Sequence, residues 1–169
     1  MRVIGIDPGT ATTGYGVVDN DEKGLKLVEY GTIKTSPKQP SHERLLIISE
    51  DLERIIKKFS PDDAAVELLF FSSNSKTAIK VGEARGAILL TTAKTGVKLY
   101  EYTPLQVKQA LTGYGRADKK QIQYMVKTIL KLPVVPKPDD AADAIAIAIC
   151  HINSRRVKQL YDRSNKRGT

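Results

Sequence analysis

An α/β domain built on one mixed sheet flanked by helices is predicted by three features of this 169-residue chain. Up to Ile33 the apolar segments are short and separated by turn residues, the pattern of an antiparallel meander. From Ala64 to Tyr102 a strand, a long helix and a strand follow in order, which implies parallel pairing through a right-handed crossover. After Pro104 the chain is helical, punctuated by prolines.

Taken in order, Arg2–Asp7 is the first strand, Gly14–Val18 the second and Leu25–Ile33 the third, with Asp19–Gly24 as the turn between the last two. Pro37 and Pro40 break the chain. Leu45, Ile48, Leu52, Ile55 and Phe59 then recur at helical spacing from an expected Ser41 N-cap, giving a helix with one face on the sheet. Pro61 resets the chain to a fourth strand, Ala64–Glu67. A helix from about Asn74 to Thr95 and a fifth strand, Val97–Tyr102, follow. Thr103 and Pro104 read as an N-cap with proline at the first helical position, and Ile122, Met125, Val126, Ile129 and Leu130 mark an amphipathic helix after Asp118. Pro133, Pro136 and Pro138 deliver the chain to an apolar helix that starts at Asp140.

One core is expected, because a chain of this length buries about two thirds of the surface it exposes when unfolded. No repeat or linker divides it. Residues 1–154 are read as the domain, and 155–169, rich in Ser, Asn, Gly and charge, as a basic disordered tail. The sequence has no apolar run of membrane-spanning length and no signal-peptide pattern at its start, so a cytoplasmic protein with no membrane partner is expected. Cys150 is the single cysteine, which excludes an intrachain disulfide and a multi-cysteine zinc site and leaves a core role. His42 and His151 are read as surface residues, at a helix start and past the last helix.

The net charge of +8 is unevenly placed. Residues 1–97 hold 13 basic and 13 acidic side chains; 98–131 hold 7 and 2; 132–154 hold 1 and 3; 155–169 hold 6 and 1. Positive charge gathered beside an acidic helix suits a polyanion such as nucleic acid.

Four carboxylates stand where apolar residues dominate. Asp7 ends Val3-Ile4-Gly5-Ile6, Glu67 ends Ala64-Ala65-Val66, and Asp140 and Asp143 open the final helix. Charge in an apolar setting needs a positive partner. Asp7 and Glu67 each close a strand at its C-terminal end, where ligands of such sheets collect, and the i, i+3 spacing puts Asp140 and Asp143 on one helix face. Singly each has an ordinary reading: Asp140 as a helix-start acid, Asp7 before Pro8-Gly9 as a turn residue, Glu67 as a strand-end acid reaching solvent. Jointly they suit oxygen ligation of Mg²⁺ or Mn²⁺. Two such ions about 4 Å apart clamp the oxygens of an in-line phosphoryl displacement, so phosphodiester hydrolysis follows.

Gly5-Ile6-Asp7-Pro8-Gly9-Thr10, Gly14-Tyr-Gly16, Glu67-Leu-Leu-Phe70, Asn74, Gly82-Glu-Ala-Arg-Gly86, Tyr102-Thr-Pro104, Val107-Lys108 and Asp140-Ala-Ala-Asp143-Ala, in this order from residue 2 to about 152, closely resemble RuvC, the bacterial Holliday junction resolvase family of the ribonuclease H-like fold. The resemblance implies a five-stranded ribonuclease H-like nuclease domain acting as a homodimer, which nicks two strands of like polarity in a four-way DNA junction and leaves ligatable ends. It implies cooperation with the RuvA and RuvB branch-migration proteins. It makes Asp7, Glu67, Asp140 and Asp143 the ligands of Mg²⁺, with Mn²⁺ as substitute and two ions per site, and makes Lys108 and Lys119 lysines needed for cleavage. Phe70 matches an aromatic that stacks on a base, and the adjacent Phe71 is a departure from the pattern. Arg116 and Lys120 join the DNA-facing surface. The small residues Ala78, Gly82, Gly86 and Ala87 lie where the family forms its dimer, although packing within the subunit would explain them equally well.

Three rival readings remain. Asp7-Pro-Gly-Thr10 also resembles the phosphate turn of actin-like ATPases and sugar kinases, but that class needs a second lobe for which there is no room. A non-catalytic junction binder would keep the basic surface without needing the acids. A YqgF-type nuclease of the same superfold would act on RNA.

Overall fold

The computed structural model describes residues 1–68 and 75–165. Five strands, β1 (Arg2–Asp7), β2 (Thr12–Asp21), β3 (Gly24–Lys34), β4 (Asp63–Glu67) and β5 (Lys98–Tyr102), form one sheet in the order β3-β2-β1-β4-β5. β1 pairs antiparallel with β2 and parallel with β4, and β4 pairs parallel with β5. The expected meander and crossover are both present.

Strands β2 and β3 run further than the apolar pattern indicated. Their pairing continues from Asp19↔Lys26 to Asp21↔Gly24, so a two-residue turn at Glu22-Lys23 replaces the expected six-residue one. Polar side chains are tolerated there because the hairpin tip meets solvent, while Gly24 takes the left-handed backbone (φ 109°) that closes the turn.

Helices cover both faces. On one lie α1 (Ser41–Phe59) and α2 (Ser75–Thr95), packed on Ile4, Ile6, Val17, Ala64 and Val66. On the other lie α3 (Pro104–Thr112), α4 (Lys119–Ile129) and α5 (Asp139–Asn165), packed on Val3, Val18, Ala65 and Tyr102. Ser41 is not the N-cap of α1: Pro40 occupies that position and offers no side-chain hydrogen bond. Proline's fixed φ suits the entry, so the backbone geometry is met without the capping hydroxyl. Among the described residues no helix is long and apolar enough to cross a membrane.

Helix α5 departs from expectation in length. It continues through residues 155–165, read from sequence as a disordered tail. His151 is consequently not past the last helix but inside it, with no solvent exposure. Cys150 is core, as expected.

Alternation along the strands decides which side chains face α5. Val3, Gly5 and Asp7 share one side of β1, and Ala65 and Glu67 share the same side of β4. A Cβ placed on Gly5 would stand 2.0 Å from the Ala144 carbonyl oxygen, and one on Gly14 would stand 2.0 Å from that of Asp140. Bare backbone at these positions therefore lets α5 lie directly on β1 and β2. That contact sets the helix start against the C-terminal end of β1.

Candidate active site

Three carboxylates from three separate elements meet at this end of the sheet. Asp7 (end of β1), Glu67 (end of β4) and Asp143 (first turns of α5) line one cavity of about 250 Å³ with Lys108 of α3 and Lys119 of α4. Pro104, Val107, Ile122, Ala146 and Ile147 complete its wall. Asp140 lies beside the cavity rather than in its lining, one turn before Asp143, and its charge still acts on Asp7.

Local sequence holds the two lysines in place. Thr103 caps α3 by accepting from the Gln106 N–H (3.1 Å), and the Gln106 side chain accepts from the Thr103 N–H (2.8 Å). Asp118 and Gln121 repeat this reciprocal pair at α4, at 2.9 and 2.8 Å. Two capping boxes thus fix the helix starts that carry Lys108 and Lys119. Leu68, next to Glu67, donates its N–H to the Tyr102 carbonyl (2.8 Å), which ties the end of β4 to the entrance of α3.

The electrostatics are those of a charge cluster short of cations. Burial, then the charges of Glu67, Asp143 and Asp140, push the Asp7 carboxyl up to about 8, against a small opposing pull from Lys119. Burial and Asp143 raise Glu67, with Lys108 opposing. Burial also raises Asp143, although Lys119 works against it. Lys119 Nζ stands 3.1 Å from Asp143 and 3.6 Å from Asp139, and these acids raise its own pKa although burial acts to lower it. As the side chains stand, no three acidic, histidine or cysteine groups among the described residues are gathered to hold an ion. Like charges in a half-buried cavity repel, and Asp143 is turned to Lys119. The donor set itself, all carboxylate oxygen and with its acids raised by mutual repulsion and burial, fits a hard divalent cation.

Sequence reasoning placed Asp7, Glu67, Asp140, Asp143, Lys108 and Lys119 in a common site; the structure brings five of them together and leaves Asp140 beside the cavity. Arg116 and Lys120 are exposed around the start of α4. Phe70 and Phe71 lie outside the described residues. Asp139 was missed as a partner of Lys119, because a second acid at a helix start reads as a dipole group. The spacer role of Gly5 and Gly14 was also missed, since only the packed helix reveals it.

A mixed sheet in this order, with acids at the ends of its central strands and on the helix laid across them, defines the ribonuclease H-like class of nuclease. The profile of the family described as "Crossover junction endodeoxyribonuclease RuvC" matches residues 3–151. Crossover junction endodeoxyribonuclease RuvC of Finegoldia magna is 54% identical over 162 residues, covering 96% of this chain and 99% of that one. The Thermus thermophilus RuvC structure superposes with a TM-score of 0.87 at 42% identity, covering 94% of this chain and 97% of that one. The same protein in complex with a Holliday junction substrate gives 0.85 at 39%, with 93% and 96% covered. This chain belongs to the RuvC family.

Proposed function

We propose that this protein resolves four-way DNA junctions by metal-assisted hydrolysis of phosphodiester bonds, cutting two strands of like polarity in recombination and repair. The observation that carries the reading is the convergence of Asp7, Glu67 and Asp143 with Lys108 and Lys119 in one cavity. Family membership and the junction-bound structure of a relative support the choice of substrate.

Asp7, Glu67, Asp140 and Asp143 are assigned as holders of two divalent cations, Mg²⁺ or, in substitution, Mn²⁺. Bound there, such ions supply Lewis acidity for the scissile phosphate and its attacking water. The protein's part is positioning and charge. Asp7 sits on the central strand, where burial and the charges of Glu67, Asp143 and Asp140 raise its carboxyl, so a divalent cation would find its strongest charge demand there. Lys119 is paired with Asp143 and can turn to a phosphate oxygen when substrate charge enters. Lys108, on the Glu67 side, offsets charge that builds on the phosphate as the bond to the leaving oxygen breaks. Arg116 and Lys120 carry the flanking backbone, and Phe70 and Phe71 are assigned to base contact.

Two related cuts require two equivalent sites, which a twofold dimer provides. Helix α2 supports this assembly: Ile79 and Leu90 are 63% and 57% exposed, and a Cβ on Gly86 would meet nothing within 4 Å. Packing inside the subunit thus does not account for Gly86. RuvA and RuvB are the assigned partners in branch migration, residues 1–154 the nuclease domain and the cytoplasm the place of action.

The test is nicking of a synthetic four-way junction with Mg²⁺ and with chelator, beside linear duplex and structured RNA. Paired cuts in the junction alone, dependent on Mg²⁺, are expected. Cleavage of RNA in preference to the junction, or binding without any cleavage, overturns the reading.

A further inference from the structure

A second recess lies on the other flank of α4, and nothing in the reaction above uses it. It encloses about 560 Å³ and is lined chiefly by Thr112, Tyr114, Ala117, Lys120, Tyr124 and Met125. Tyr114 and Tyr124 are 56% and 63% exposed, so two aromatic rings stand in solvent at one concave, largely apolar site.

We propose that this recess seats an unstacked nucleobase of the DNA strand that leaves the active cavity, with the base against the tyrosine rings. The inference rests on the junction-cleaving reading and extends it to a base-binding subsite. Continuity supports it first. Lys119 lines the active cavity and the next residue, Lys120, lines the recess, so one strand crossing the start of α4 reaches both. Charge supports it second. Lys120 lines the recess, and Arg116, between the lining residues Tyr114 and Ala117, is exposed. The acid in the lining, Asp118, is engaged as the α4 cap through its bond from the Gln121 N–H (2.9 Å).

Rigidity is the third support. Tyr114 follows Gly113, whose left-handed backbone (φ 71°) ends α3. Its N–H donates to Thr112 Oγ1 (3.0 Å), and its carbonyl accepts from the Ala117 N–H (3.4 Å). The loop is thus held before any base arrives, which lowers the ordering cost of binding. Base–aromatic stacking of this kind tolerates any sequence, because every base has a π face.

The chain has no tryptophan, so Tyr124→Trp installs a single reporter in the recess. The full-length variant is titrated with a synthetic four-way junction in chelator, following its emission and the anisotropy of labelled DNA together. Quenching with the same midpoint as the anisotropy is expected. Tyr114→Ala/Tyr124→Ala is expected to bind the junction about tenfold more weakly, and Tyr114→Phe/Tyr124→Phe to bind like the parent, since the ring and not the hydroxyl stacks. Both side chains are exposed, and unchanged thermal unfolding checks that the double alanine variant folds. Full junction binding with unmoved tryptophan emission and undiminished affinity of the alanine variant overturns the base seat alone and leaves the recess to a protein partner. Absence of any anisotropy change with the parent chain overturns the junction reading, and the seat with it.

Discussion

The Nε2 atom of His151 lies 3.0 Å from Oδ2 of Asp63, with both side chains sealed in the core. The Nδ1 atom of the same ring is 2.8 Å from the Tyr102 hydroxyl. With neutral histidine, Nε2–H donates to the Asp63 carboxylate and Nδ1 accepts from Tyr102, so one imidazole joins α5 to β4 and β5. Asp63 begins β4 and Glu67 ends it, which puts this network about 13 Å along the strand from the active cavity. Its contribution is to the frame and not to the chemistry.

Replacing His151 with Phe keeps the volume but leaves the Asp63 carboxylate and Tyr102 hydroxyl without that partner. A loss of about 2–4 kcal/mol in urea unfolding is expected, as for other buried charges stripped of a hydrogen bond.

The same residue sets an acid limit. Burial lowers the His151 pKa, outweighing the opposing effect of Asp63. The unfolded chain takes up this proton near pH 6.5 while the folded chain resists it, so the stability due to His151 is lost as pH falls below about 6.5. Unfolding midpoints between pH 5 and 8 measure this, and His151→Phe is expected to show a weaker slope over pH 5–6.5.

Asp7 predicts a slope of the opposite sign. With its carboxyl pushed up to about 8 in the folded chain, the folded state holds a proton that the unfolded state releases near 3.8. Stability in chelator therefore falls as pH rises from 4 to 8, by about 1.4 kcal/mol for each unit of raised pKa at most. Asp7→Asn is expected to unfold later than the parent at pH 8 in chelator, to bind junction DNA largely as before and to lose cleavage. Cutting at the parental rate would end the metal assignment.

Lys108→Ala is expected to slow single-turnover cleavage by about 10²–10³-fold with a small change in junction affinity, the loss typical of one charge-stabilising donor. A large, uniform fall in binding would make Lys108 a backbone anchor instead.

Two glycine substitutions should diverge. Gly5→Ala drives a methyl into the Ala144 carbonyl oxygen and the Ala148 N–H of α5, at 2.0 and 2.6 Å, and is expected to impair folding and cleavage. Gly86→Ala meets open space and is expected to add about 1 kcal/mol through helix propensity while testing the dimer face by sedimentation.

The site was legible where burial and charge conflict within a few residues. An acid closing an apolar strand has few uses, and strand parity then sends Asp7 and Glu67 to the same face. The His151 network was not legible, because its three members lie on three elements and the apolar run Ala144–Ile149 carried no sign of where α5 ends. Ser41 misled because a cap-favouring serine and a preceding proline compete for one cap. The long β2–β3 hairpin was hidden by Asp19, Asn20 and Asp21, whose backbones pair although their side chains suggest a loop.

The bare backbone at Gly5 and Gly14 makes the main chain itself the gauge of the active site. How closely the start of α5 approaches the ends of β1 and β2 is set there by the carbonyl oxygens of Ala144 and Asp140 resting on bare Cα atoms, a hard and nearly invariant length.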